Sequence, residues 1–350
     1  MKSSSFYYLF ICVLLPALLV ISGCIGQSSH TDDNTSVITP SGNTTLKPVT
    51  LVTTMEENLT AKSCRFVAIS TAPHRSLALR DDGTVVAWGE SDDGMMSVPK
   101  NLDNVTAIAA GHWHNLALIK NGTVIAWGNR YHGDWQVPPG IDEVVAIGAG
   151  TEHSLALKKD GTVIAWGRCA EGQCAIPKRL ENYTAVAAGS WRSVVLKSDG
   201  TIQTFNLEEH HEIARNLTGI VAISAGYAHV LALRNIGTIV AWGDNTYGQC
   251  EVPEGLTHVT AISAGYWHNL ALKDDGTVVA WGGKSIEANA MFEGSSIVKD
   301  YGQFSIPPGF TDITAISAGE FHNLALKRDG TIVAWGSNET GESARPLCSN

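Results

Sequence analysis

Histidine at one recurring place is the first feature of this sequence that invites chemistry. Six copies of a repeated segment carry it, as His74, His114, His153, His229, His268 and His322. Imidazole is a common metal ligand, so a metal site is the first idea to weigh. Each of these residues belongs to a different copy, and copies set side by side cannot bring six side chains to one point. They are therefore expected to be structural, with a ring nitrogen bonding backbone at the start of a strand. The run Glu208-Glu209-His210-His211-Glu212 has ligand-type side chains too. It reads as a solvated stretch in preference to a divalent-ion site. No Ser-His-Asp order, phosphate-binding glycine loop or close carboxylate pair stands out. The chain is thus read as a non-enzyme, without cofactor or metal.

Aromatic residues offer a different chemistry. His112, Trp113, Trp191, Tyr227, Tyr266, Trp267 and Phe321 occupy the variable positions of one recurrent turn, and Tyr131, Trp135 and Tyr247 fall in nearby loops. Large rings at exposed turns are what interface hot spots are made of. The alternative is that several fold back as plugs between repeats.

The elements that position these residues follow from self-similarity. A Thr-Val/Ile-x-Ala-Trp-Gly segment places tryptophan at 88, 127, 166, 242, 281 and 335, with Phe205 in a degenerate copy. The spacings are 39, 39, 39, 37, 39 and 54, the last being one repeat plus a 15-residue insertion. A second segment, Ala-Gly-x-x-His-x-Leu-Ala-Leu, runs in step with it, and seven units result. Each unit reads as three short strands, for example Val105–Ala110, His114–Leu118 and Thr123–Trp127, β-branched and separated by Gly and Asn. Asp/Asn-Gly before the third strand marks a tight hairpin. Strand parity places the Ala-Gly-x-x-His turns and the loops after Trp-Gly on one face, and the Asp-Gly turns and Pro-Gly linkers on the other.

Such a sheet cannot bury both of its faces alone. Seven in series stack into a solenoid or close into a ring. The count and the absence of a polar cap at either end favour an all-β, seven-bladed propeller with mainly three-stranded blades. Projected onto an intact linker, Cys64 and Cys348 match positions two residues apart, so a closed ring would bring them within roughly 6–7 Å, near the disulfide window. A Cys64–Cys348 bond locking the seventh blade to the first is expected. Cys169 and Cys174 are placed to pair locally or to stay reduced, with Cys250 left over.

The two segments, with Tyr-Gly-Gln at 247–249 and 301–303, resemble the regulator-of-chromosome-condensation repeat. The likeness is to its short form of about 39 residues, the type seen in the second β-lactamase inhibitory protein. The resemblance covers residues 64–350 and implies the propeller fold. In the inhibitor relatives the matching turns grip the partner, which implies the same for the aromatic turns here. Nucleotide exchange, the activity of eukaryotic relatives, does not carry over to an exported chain.

Export is read from the N-terminus. Lys2 and the apolar stretch Phe6–Ile21 form a signal peptide over 1–23. The junction Ile21-Ser22-Gly23-Cys24 resembles the lipobox of a prokaryotic lipoprotein, with Cys24 the lipidated residue. Ordinary cleavage that leaves Cys24 as a free thiol is the alternative. Residues 24–62, rich in Ser, Thr and Asn, read as a flexible tether. The propeller occupies 63–350, with an insertion at 284–300. Eight Asn-x-Ser/Thr sequons, at 34, 43, 58, 104, 121, 182, 216 and 338, suggest an N-glycosylated exterior and, with the lipobox, an archaeal more than a bacterial protein. A net charge of −10 argues against nucleic acid. The expected protein is a monomer anchored by lipid on the outer face of the cell membrane, binding an extracellular protein or, alternatively, a glycan or envelope polymer. A hydrolase or hydrolase inhibitor is a less favoured reading.

Overall fold

The computed structural model describes residues 65–90, 94–129, 136–177, 182–205, 217–283 and 300–344. All regular structure in them is strand. Seven antiparallel sheets of three strands each occupy 66–89, 105–128, 144–167, 183–205, 220–243, 259–282 and 313–336, here blades 1 to 7. Within each, the strands pair in chain order, the first with the second and the second with the third. The seven-bladed β-propeller expected from the repeat is the fold.

Seven hydrophobic clusters hold the blades together, one at each interface. Between blades 1 and 2, Leu77 and Leu79 meet Val105, Ile108 and Trp127; between blades 5 and 6, Leu231 and Leu233 meet Val259, Ile262 and Trp281. The repeated tryptophans are inter-blade core, as their period implied. Trp127, Trp166, Trp242, Trp281 and Trp335 are buried, and Trp88 packs on the seventh interface. Apolar burial of this kind is the main driving term, at about 25 cal/mol per Å².

That seventh interface closes the ring. Phe66, Ile69 and Ala78 of blade 1 pack on Leu324, Leu326 and Ile332 of blade 7. The Phe66 amide donates to the Gly330 carbonyl at 3.1 Å, as Val144 does to Gly122 and Val259 to Gly237 at other interfaces. The C-terminal loop also serves blade 1 as linking loops among the described residues serve the blade after them. Met95 O accepts from Trp127 Nε1 and Asn115 Nδ2, and Gln303 O accepts from Trp335 Nε1 and Asn323 Nδ2. Glu342 O likewise accepts from Trp88 Nε1 at 3.0 Å and Ser76 Oγ at 2.9 Å. The residue after the loop glycine, Met95, Gln303 or Glu342, is thus a backbone acceptor for the next blade. The expected Cys64–Cys348 bond lies outside the described residues, as do Cys24, the tether and the insertion from 284 to 299. Cys169 and Cys174 form a disulfide, and Cys250 is free.

Two details of the histidine reading change. Arg75 heads the second strand of blade 1, opposite Gly89, as His114 does opposite Gly128 in blade 2. His74 therefore stands one place earlier, in the turn, at the position of Trp113. The other five each also meet a side chain of the next blade, beside the expected backbone bonds that His153, His268 and His322 make at Arg192, Glu320 and Arg75. Nε2 of His114 meets Ser154 Oγ at 2.8 Å, and the corresponding pairs are His153–Ser193, His229–Asn269, His268–Asn323 and His322–Ser76. Blades 1 and 4 use arginine instead. Arg75 reaches Asn115 and the carbonyls of Gly111 and His112. Arg192 is buried where blade 5 offers Val230. Burial pushes the five imidazoles down, His114 to about 3 and the others to about 4, so they are neutral latches.

A candidate partner-binding face

All seven Ala-Gly-x-x-His turns gather around the propeller axis at one face. A glycine opens the turn in blades 2 to 7, with Ala72 in its place in blade 1, and a Cβ at Gly111, Gly150, Gly226 or Gly265 would run into the carbonyl of the corresponding glycine in the next blade. That close approach brings the first variable positions together at the axis. They are Pro73, His112, Thr151, Ser190, Tyr227, Tyr266 and Glu320, and most border a cavity of about 100 Å³ there. The second variable positions, among them His74, Trp113, Glu152, Trp191, Trp267 and Phe321, follow one residue later in the same turns.

The sequence does not separate these two rings, and the difference matters. Tyr266 reaches across the axis from blade 6, so that its phenol lies 2.6 Å from His112 Nδ1 of blade 2. Thr151 and Ser190 also hydrogen-bond the phenol, and burial raises its pKa, so it stays protonated. Tyr266 and His112 are thus a polar closure of the channel mouth; to that extent the alternative of aromatics folding inward holds.

The other rings lean on one another. Tyr227 lies 5.1 Å from Tyr266 and 5.0 Å from Trp267, between ring centroids, and Tyr247 meets Trp267 edge-on at 5.2 Å. His112 stacks on Trp113 at 4.3 Å, and Phe321 lies 5.3 Å from Tyr301. Trp191 lies under the guanidinium of Arg168, 5.8 Å away, which also bonds Glu152 at 2.8 Å. Every one of these expected face aromatics within the described residues is half-buried. Tyr131 and Trp135 lie outside the described residues, as does the acidic run 208–212.

Three further residues bear on this face, of which Glu320 and Arg168 were not singled out from the sequence and His74 was read there as one of the recurrent structural histidines. Glu320 takes the axis position in blade 7, and its carboxylate lies 3.5 Å from His74 Nε2. Burial raises its pKa, against which His74 and a hydrogen bond from Trp267 act. Arg168 is the third. All lie in or beside the repeated turns, so aligning the seven turns and reading down each column is the signal that finds them.

Five segments, 105–134, 144–173, 220–249, 259–284 and 313–342, match the regulator of chromosome condensation (RCC1) repeat. They correspond to blades 2, 3, 5, 6 and 7; blades 1 and 4, outside the match, are those with arginine in the histidine place. No curated protein matches the chain. Among solved structures, the ectodomain of the Physcomitrella patens receptor kinase CR4 is similar at a TM-score of 0.60 and 20% identity, over 78% of this chain and 73% of that one. The CRINKLY WD40 ectodomain of the Arabidopsis thaliana receptor kinase ACR4 gives 0.60 and 20%, over 80% and 97%. Human WBSCR16 gives 0.51 and 17%, over 74% and 80%. At these identities the likeness speaks for the fold.

Proposed function

From five blades that match the RCC1 repeat, we propose that this chain is a non-catalytic binding protein that engages a protein partner through the face of the Ala-Gly-x-x-His turns. The observation carrying this reading is the run of half-buried rings from Tyr247 and Trp267 through Tyr227 and Tyr266 to His112 and Trp113. Rings held by their neighbours lose little freedom on binding, which is what makes aromatic anchors effective. The signal peptide and lipobox supply the address: Cys24, lipidated, would hold the propeller outside the cell by its tether.

The test is cross-linking of the purified chain to secreted and surface proteins of its own cell, followed by binding of the recovered partner. Replacing Trp113, Trp191 and Trp267 together by Ala should weaken that binding at least about 30-fold, the scale of one hot spot, without changing the circular dichroism spectrum. Unchanged affinity removes the reading. Capture of polysaccharide instead of protein would favour the glycan alternative. Cys24→Ser, in turn, should release the chain from the membrane fraction.

A further inference from the structure

One loop of this face is closed differently from its sisters, and the difference turns a side chain outward. The loops after the third strands of blades 3, 5 and 7 run Arg168–Cys174, Asp244–Cys250 and Ser337–Ser343. They share one backbone, in which Gly172, Gly248 and Gly341 donate to the carbonyls of Cys169, Asn245 and Asn338. The residue after that glycine also accepts, through its side chain, the amide two places before it, as Gln173 Oε1 does from Glu171 at 2.9 Å.

Two side-chain clasps then close the blade 5 loop. Asp244 Oδ2 accepts from Gln249 Nε2 at 3.1 Å, and Asn245 Oδ1 accepts from the Cys250 amide at 2.9 Å. Blade 7 has both in kind, with Ser337 Oγ donating to the Glu342 carboxylate and Asn338 Oδ1 accepting from the Ser343 amide. Blade 3 carries neither side chain. Arg168 stands in the place of Asp244, and a guanidinium cannot accept a hydrogen bond, so the buried Gln173 Nε2 has no partner among the described residues. Arg168 turns instead to the face, where it bonds Glu152 at 2.8 Å and lies 5.8 Å from the Trp191 ring centroid. Cys169 and Cys174 stand in the places of Asn245 and Cys250, and their disulfide is the clasp that remains. Cys169 is exposed and Cys174 half-buried, so an attacking thiolate has access to the bond.

We infer that Cys169–Cys174 is a redox-sensitive clasp of the partner-binding face, which holds Arg168 against Glu152 and Trp191 without supporting the propeller. A dithiol reductant supplies two electrons and two protons, leaves both cysteines as thiols and is itself oxidised to a disulfide. The loop then loses the link between its two ends, and Arg168 its fixed place. Gln173 O, which accepts from Ser193 Oγ at 2.7 Å, keeps the blades joined. This deepens the binding reading above and rests on it, adding control of that site by thiol–disulfide exchange.

The experiment digests the full chain briefly with trypsin, which cuts after arginine, before and after treatment with dithiothreitol. Reduction should speed cleavage after Arg168 at least tenfold and leave the β-sheet circular dichroism unchanged. Two variants isolate this bond from other cysteines. Cys169→Ala with Cys174→Ala should be cut quickly without reductant, whereas Cys169→Asn with Cys174→Ser, the blade 7 pair, should resist trypsin with and without it. Cleavage after Arg168 that reduction does not speed, loss of the sheet signal in the alanine pair, or equal cutting of the two variants overturns the inference. With a partner recovered, the alanine pair should bind it at least tenfold more weakly than the Asn–Ser pair, and equal affinity overturns the inference too. The aromatic-face reading fails separately, if the triple tryptophan variant keeps its partner.

Discussion

Each imidazole at the head of a second strand has Nε2 committed to the next blade, and this sets how the protein meets acid. The unfolded chain takes up these protons near the ordinary histidine value of about 6.5. The folded chain takes them up only near pH 3 to 4. Between those limits the unfolded state binds more protons, so stability falls as pH drops from about 6.5 towards 4 and is insensitive above that window. Urea midpoints measured from pH 8 to pH 4 check this; a flat profile would mean that the latches titrate normally. The same bond has a partner-side test. Asn323→Ala leaves His268 Nε2 and the Gln303 carbonyl each short of a buried bond, which should cost about 1–3 kcal/mol, read as a lower thermal midpoint.

At the scale of one blade, turns constrain the sequence more tightly than strands do. A Cβ on Gly265 would collide with the Gly319 carbonyl and crowd Ala318 Cβ and the His268 ring, both at 3.2 Å, whereas Gly255, with φ +76°, has nothing within 4 Å of a Cβ. Gly265→Ala should therefore destabilise by about 1–3 kcal/mol through backbone displacement, and Gly255→Ala by only about 1 kcal/mol of left-handed strain. Paired chemical denaturation curves measure the difference. The corner before each first strand makes a similar demand. Asn104, Glu143, Asn182, His258 and Asp312 all adopt positive φ there, a conformation that Asn tolerates well. The threonine two residues on from Asn104 or Asn182 donates to a carbonyl on the neighbouring strand, from Thr106 to Leu118 O and from Thr184 to Leu196 O. Two Asn-x-Thr sequons are thus also what this corner asks of its residues, so a surplus of sequons is a weaker pointer to glycosylation than it looks in sequence.

At the scale of the molecule, closure depends on the C-terminal loop taking the place of a linking loop. The Glu342 carboxylate is held by Ser337, Thr340 Oγ1 and the Thr340 amide, and these bonds set it down to about 2 against the opposing effect of burial. Its carbonyl meanwhile receives Ser76 and Trp88. Ending the chain at Gly336 should strip blade 1 of these acceptors. It should lower the melting temperature and broaden the transition, and small-angle scattering should show a larger radius of gyration. A truncated chain that melts as sharply as the full one would place closure in the Phe66–Leu324 cluster alone.

Seven copies of one pattern, each too small to bury itself, determined the blade, its three strands and their hairpins from sequence, because local turn chemistry and short β-branched runs need no distant information. The same repetition determined the tryptophans as interface core and put the aromatic turns on one face. Which of those aromatics lie at the axis, that Tyr266 spans to His112, and that Glu320 sits against Trp267 and His74 were decided only by the tertiary structure. These facts join residues of different blades, up to 246 positions apart in the case of Glu320 and His74. Their meeting depends on ring closure, on the angle between sheets and on which way a side chain turns over the axis, none of which leaves a periodic mark on the chain.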